Sequence, residues 1–178
     1  MQGEYATLDS PYMKPSMTIL TCADIELTQL EDLLDKFGLV IHLIEDNQKI
    51  PGSWFGEPEA GIIQNNLYIR NDTPVHSALH ESCHYICMSP DRREKLHTNV
   101  GGDYDEENAV CYLSILLSDY INGFGRERML SDMDEWGYTF RLGSSKAWFE
   151  KDAQDAFEWL VLYRIISTNS EPGWVIRN

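Results

Sequence analysis

At 178 residues the chain is long enough to bury one core and too short for two comfortable ones, so a single domain is expected. With 29 acidic against 14 basic residues and a formal net charge of −15, attraction to phosphate backbones or anionic lipid is disfavoured, which argues against nucleic acid and membrane surfaces as partners. No apolar run approaches the ~18 residues of a membrane span, no basic-then-apolar leader pattern opens the chain, and Cys22, Cys83, Cys87 and Cys111 lack the spacing of a disulfide framework; a cytoplasmic protein with reduced thiols is the expectation.

Residues 1–17 are rich in small and polar residues with no clear period, and read as a flexible arm ahead of one domain over 18–178. From Asp24 to Phe37 the residues Leu27, Leu30, Leu34 and Phe37 recur at helical spacing, and Gly38 offers a left-handed stop. Leu39 to Ile44 suits a strand. Gly61 to Arg70 holds a second such run, in which Asn65-Asn66 can turn a hairpin. Between Asp72 and Met88, Pro74 fits a first helical turn and Val75, Leu79, Cys83 and Ile86 form one apolar stripe, before Pro90 forbids continuation. A polar segment, 89–102, leads to a helix from Asp103 with the stripe Ala109, Leu113, Leu116 and Tyr120, stopped by Asn122-Gly123. Residues 124–143 show no clear period. A last helix, from Ser145 to Ser167, carries Phe149, Ala153, Ala156, Leu160 and Tyr163, and Glu171-Pro172-Gly173 then turns the chain.

The chemistry sits in His80-Glu81-Ser82-Cys83-His84. Two histidines four apart on a helix project from one face and can occupy two corners of a zinc tetrahedron. In such an HExxH arrangement the glutamate, here Glu81, does not bind the metal; it moves protons between the attacking water and the leaving amine. His76 lies a turn too far along a straight rod to share the ion and reads as structural, and Cys87 reads as a buried, inert thiol. A third ligand must come from another element. Glu106 falls on the apolar stripe of the second helix, whereas Glu107 groups with Ser114 and Ser118 toward a polar side, so the period selects Glu106. Asp103-Tyr104-Asp105-Glu106 also reads as a capping box, which would turn Glu106 to the helix start instead. His97, Tyr104 and Tyr138 are candidate donors to an oxyanion.

Ala78-Leu79-His80-Glu81-Ser82-Cys83-His84-Tyr85-Ile86, followed by Glu106-Glu107-Asn108-Ala109-Val110-Cys111-Tyr112-Leu113 and Leu116-Leu117, resembles the ImmA/IrrE family of gluzincin-like metallopeptidases over approximately residues 24–120. The resemblance departs from the family pattern where Asn108 precedes Ala109 and where Ser82-Cys83 stands between the histidines. It implies one zinc per chain bound by His80, His84 and Glu106, with Glu81 as general base and a peptide or protein as substrate. The expected fold is α+β, a compact zincin-like domain whose small sheet packs on the HExxH helix and a Glu-bearing helix, with a C-terminal helix. Two rival readings stay open: a catalytically silent zinc-containing module that binds a protein, and a metal-dependent amidase acting on a non-peptide substrate.

Overall fold

The computed structural model describes residues 18–178, so the arm read at 1–17 lies outside the described residues. The chain enters on a 3-10 turn, Cys22–Asp24, where the Asp24 carboxylate accepts from both the backbone N–H and the hydroxyl of Thr21. Because Asp24 is engaged there, helix α1 (Leu27–Asp35) begins after it rather than on it. Leu30, Leu33 and Leu34 are its buried stripe, and Gly38 takes the left-handed conformation (φ 76°) that ends the turn.

Strands β1 (Val40–Leu43), β2 (Gly61–Ile63) and β3 (Asn66–Ile69) form a mixed sheet of order β1-β3-β2, with β1 parallel and β2 antiparallel to β3. The hairpin turns one residue earlier than Asn65-Asn66. Ile63 pairs with Asn66, and Gln64, at φ 50°, donates its N–H to the Leu96 carbonyl. That outside contact fixes the turn at Gln64-Asn65 and leaves Asn66 in the strand, its side-chain oxygen 2.8 Å from His42 Nε2.

The loop between β1 and β2 returns tightly against β2, with the Ile62 N–H donating to Gly52 O. A Cβ at Gly61 would stand 2.0 Å from Pro51 O and 2.5 Å from Ser53 N. Gly61→Ala is therefore expected to destabilise the fold by ~3 kcal/mol, since backbone rather than a pliable side chain must yield. Thermal unfolding reads this, and an unchanged melting temperature would contradict the close approach.

Helix α2 (Val75–Cys87) follows, with Pro74 at its N-cap, one position before the first turn, and Met88 at its C-cap. It is buried on nearly every side, between the sheet and a later helix. A short helix, α3 (Pro90–Arg93), lies in the segment read as polar linker. Helix α4 (Tyr104–Ser118) then packs along α2; it stops at Ser118, before the expected Asn122-Gly123, and Tyr120 lies beyond it, 46% exposed and edge-on to Trp174. The segment without a period contains α5 (Gly125–Trp136), which buries Met129, Leu130 and Met133 and ends on left-handed Gly137 (φ 102°).

The single C-terminal helix expected over 145–167 is two, α6 (Ser145–Lys151) and α7 (Gln154–Leu162). The break falls at Asp152 (φ −139°), whose carboxylate is 2.8 Å from Arg141 Nε. It lets α6 seat Trp148 against α5 while α7 seats Ala156 and Leu160 against α4, which one straight rod could not do. The fold is α+β: among the described residues, seven α-helices and a three-stranded sheet that packs against α1 and α2. All four cysteines are free and buried, and among the described residues no helix is long and apolar enough to cross a membrane.

Candidate metal centre

Helical geometry brings His80 and His84 of α2 together as their spacing requires: their Nε2 atoms are 3.1 Å apart and the rings meet edge to face. The third group is Glu107, from the first turns of α4. Its Oε1 lies 3.1 Å from His80 Nε2 and its Oε2 lies 3.3 Å from His84 Nε2. One ligand atom from each of the three residues falls within 4.8 Å of the others. This group could hold a metal ion.

Glu106, the residue selected by the apolar period, is elsewhere. Its Oε2 accepts from Arg92 Nη1 at 2.7 Å and Arg177 Nη1 at 3.3 Å, and its other oxygen is buried without a partner. The capping reading is half realised, because Asp103 accepts from the Glu106 N–H while the Glu106 carboxylate goes to the arginines instead of back to the helix start. Glu106 is buried as the period predicts, at 4% exposure, but it faces Arg92 and Arg177 at the C-terminal end of α2 rather than the two histidines. Glu107 is half-exposed, as its place on the polar side predicts, but Ser114 and Ser118 of that side are fully buried, their hydroxyls donating to Cys111 O and Ile115 O. Beyond its exposed first turn α4 is buried on every side, so burial pattern could not say which of the adjacent glutamates faces the histidines.

The triad opens on a cavity of about 680 Å³ that Glu81 also lines. Burial pushes the Glu81 carboxyl up to about 7, reinforced by Glu59 and Glu107 and opposed by His80. A carboxyl titrating near neutrality can both take and return a proton. Within the triad, burial is the largest influence on Glu107 and works to raise it, yet its hydrogen bond to His80 and the charges of both histidines hold it down to about 2. Burial and then His80 depress His84 to about 3. Burial also opposes charge on His80, but Tyr138, Cys111 and Glu107 together raise it well above the usual imidazole range. Glu107 thus faces both ring nitrogens as a carboxylate. Two imidazole nitrogens and one carboxylate form a donor set suited to zinc, so the residues fit that ion.

Of the candidate oxyanion donors, only Tyr138 lines this cavity; its hydroxyl is 3.3 Å from His76 Nδ1 and its ring stands edge-on to His80. His97 is exposed and bonded to Thr98 Oγ1, and Tyr104 is 63% exposed, lining a smaller cavity that shares Glu107 and Tyr138 with this one. His76 is fully buried between Trp136 and Tyr138 and lies outside the triad, as does Cys87. Cys111, one turn after Glu107, is buried and close enough to the His80 ring to influence its charge, a neighbourhood the sequence reading does not identify. Its spacing of four from Glu107, matching that of the two histidines, was the available signal.

No family model, curated protein or solved structure matches the chain.

Proposed function

We propose that the chain is a zinc-dependent metallopeptidase of minimal zincin type, akin to the ImmA/IrrE family it resembles, with His80, His84 and Glu107 as ligands and Glu81 as general base. The observation that carries this reading is the meeting of a two-histidine, one-carboxylate donor set with a separate half-buried carboxyl, raised to about 7, in the same cleft. A purely structural site has no use for that fourth group.

Zinc bound by the triad supplies a Lewis acid for a scissile carbonyl and lowers the pKa of the attacking water. Glu81 accepts the proton of that water and returns it to the departing amine, which a carboxyl poised near neutral pH can do in both directions. Tyr138, its phenol pushed up by burial and so kept protonated, donates to the charge that develops on the carbonyl oxygen. His76 holds the phenol from behind. A cleft of this volume accepts a few residues of extended peptide.

The test is chelator-sensitive hydrolysis. Zinc-loaded protein is expected to cleave members of a quenched-fluorescence peptide library, with cleavage stopped by chelation and restored by zinc. Retained zinc with no cleavage would favour a protein-binding module, and turnover of small amides but no peptide would favour an amidase.

A further inference from the structure

The β1–β2 loop displays two adjacent aromatic residues to solvent, Trp54 at 60% exposure and Phe55 at 78%. They are not a loose excursion. The loop is tied at its base by the Ile50 N–H to Glu57 Oε1, by the Gly56 N–H to Ser53 Oγ and by the Ala60 N–H to the buried Ser77 Oγ of α2. A braced loop holding large apolar side chains at the mouth of a cleft is the signature of a binding surface rather than of incomplete burial.

Trp54 and Phe55 line the same cavity as the triad, together with Trp136 and Glu59. The Glu59 carboxylate accepts the Trp136 indole N–H through Oε1 at 2.8 Å, which fixes acid and aromatic side by side. Among the described residues no lysine or arginine lines this cavity, and none pairs with Glu59. The charges facing a ligand are those of Glu59, Glu81 and Glu107. With Glu107 turned to the two histidines and Glu81 beside His80 on α2, Glu59, anchored to Trp136 at the aromatic end of the cavity, is the carboxylate left to meet a ligand cation. Aromatic side chains beside an anchored carboxylate stabilise a desolvated ammonium or guanidinium by both cation–π attraction and ion pairing.

We propose that the Glu59 end of the cleft is a subsite for a lysine or arginine side chain of the bound peptide, its alkyl stem against Trp54, Phe55 and Trp136 and its charge against Glu59. The subsite rests on the peptidase reading for its occupant's being a substrate. An apolar side chain would satisfy the aromatics but not the carboxylate, and an acidic one would meet the like charge of Glu59.

The experiment uses zinc-loaded Glu81→Gln protein and blocked hexapeptides of alanine and phenylalanine, in which each position in turn carries lysine, norleucine or glutamate. Binding is followed by tryptophan fluorescence. At the preferred position the lysine peptide is expected to bind about tenfold more tightly than the norleucine peptide, which has nearly the same stem without the charge, and more tightly still than the glutamate peptide. High salt should narrow the gap. Adding Glu59→Gln should abolish it, while zinc content is unchanged; glutamine still accepts the Trp136 N–H, so the loop keeps its anchor. Equal binding of lysine and norleucine peptides at every position, a gap that survives Glu59→Gln, or no binding at all would overturn the subsite. Parallel digestion by the parent protein separates the two readings. Cleavage indifferent to lysine keeps the peptidase and sinks the subsite, whereas lysine-selective binding without any cleavage keeps the subsite and sinks the peptidase.

Discussion

Glu107→Gln is expected to weaken zinc binding roughly a hundredfold or more, because a neutral amide replaces the charged oxygen donor that faces both imidazoles. Its neighbour should behave in the opposite way. Glu106→Gln leaves the three donor atoms untouched, so zinc affinity should stay close to the parent's. It does uncouple a buried carboxylate from Arg92 and Arg177, whose side chains are 33% and 18% exposed. Losing one partner of a fully buried pair costs more, but partial exposure of both arginines and the residual acceptor on glutamine reduce the loss to about 1–3 kcal/mol. Calorimetric zinc titration and thermal melts of both variants read the two effects separately. Zinc lost in Glu106→Gln and retained in Glu107→Gln would restore the assignment that the apolar period favours and refute the geometric one.

Glu81→Gln is expected to lower kcat by about 10³-fold while zinc content is unchanged, since the amide keeps the shape of the carboxyl but cannot take a proton. The variant should melt no lower than the parent at pH 8. Burial raises the Glu81 pKa to about 7, so above that pH the folded protein carries a carboxylate its surroundings disfavour, and the neutral amide removes that penalty. Hydrolysis by Glu81→Gln at the parent's rate would refute the role of general base, and loss of zinc would make Glu81 part of the metal shell.

How far the sequence could be read depended on how each element packs. Helix α2 was legible because Val75, Leu79, Cys83 and Ile86 make one stripe and Pro90 closes it, and the pairing of His80 with His84 follows from helical spacing alone. The choice between Glu106 and Glu107 was not legible, since the ligand is the half-exposed glutamate of the first turn and, beyond that turn, both the serine face and the leucine face of α4 are buried. What separates the two glutamates is the position of Arg177, 71 residues from Glu106 along the chain, which no local pattern reports. Helix α5 was missed because its polar residues outnumber a short buried set, Met129, Leu130 and Met133, although Gly137 at its end marked the stop. The break between α6 and α7 was hidden because Phe149, Ala153, Ala156 and Leu160 keep a helical spacing across it; the tertiary demand that α6 meet α5 and α7 meet α4 divides them. The aromatic mouth of the cleft was invisible for a related reason. Trp54 and Phe55 sit far in sequence from Trp136, and only the fold brings them to one cavity with Glu59.

The most direct test of the central claim is the zinc content of the pure protein after dialysis against metal-free buffer at neutral pH. One equivalent per chain is predicted, falling to none in a His80→Ala, His84→Ala double variant that still folds by circular dichroism. A parent protein that holds no zinc and takes up none when it is added, or a double variant that keeps its full equivalent, would contradict a metal centre at His80, His84 and Glu107.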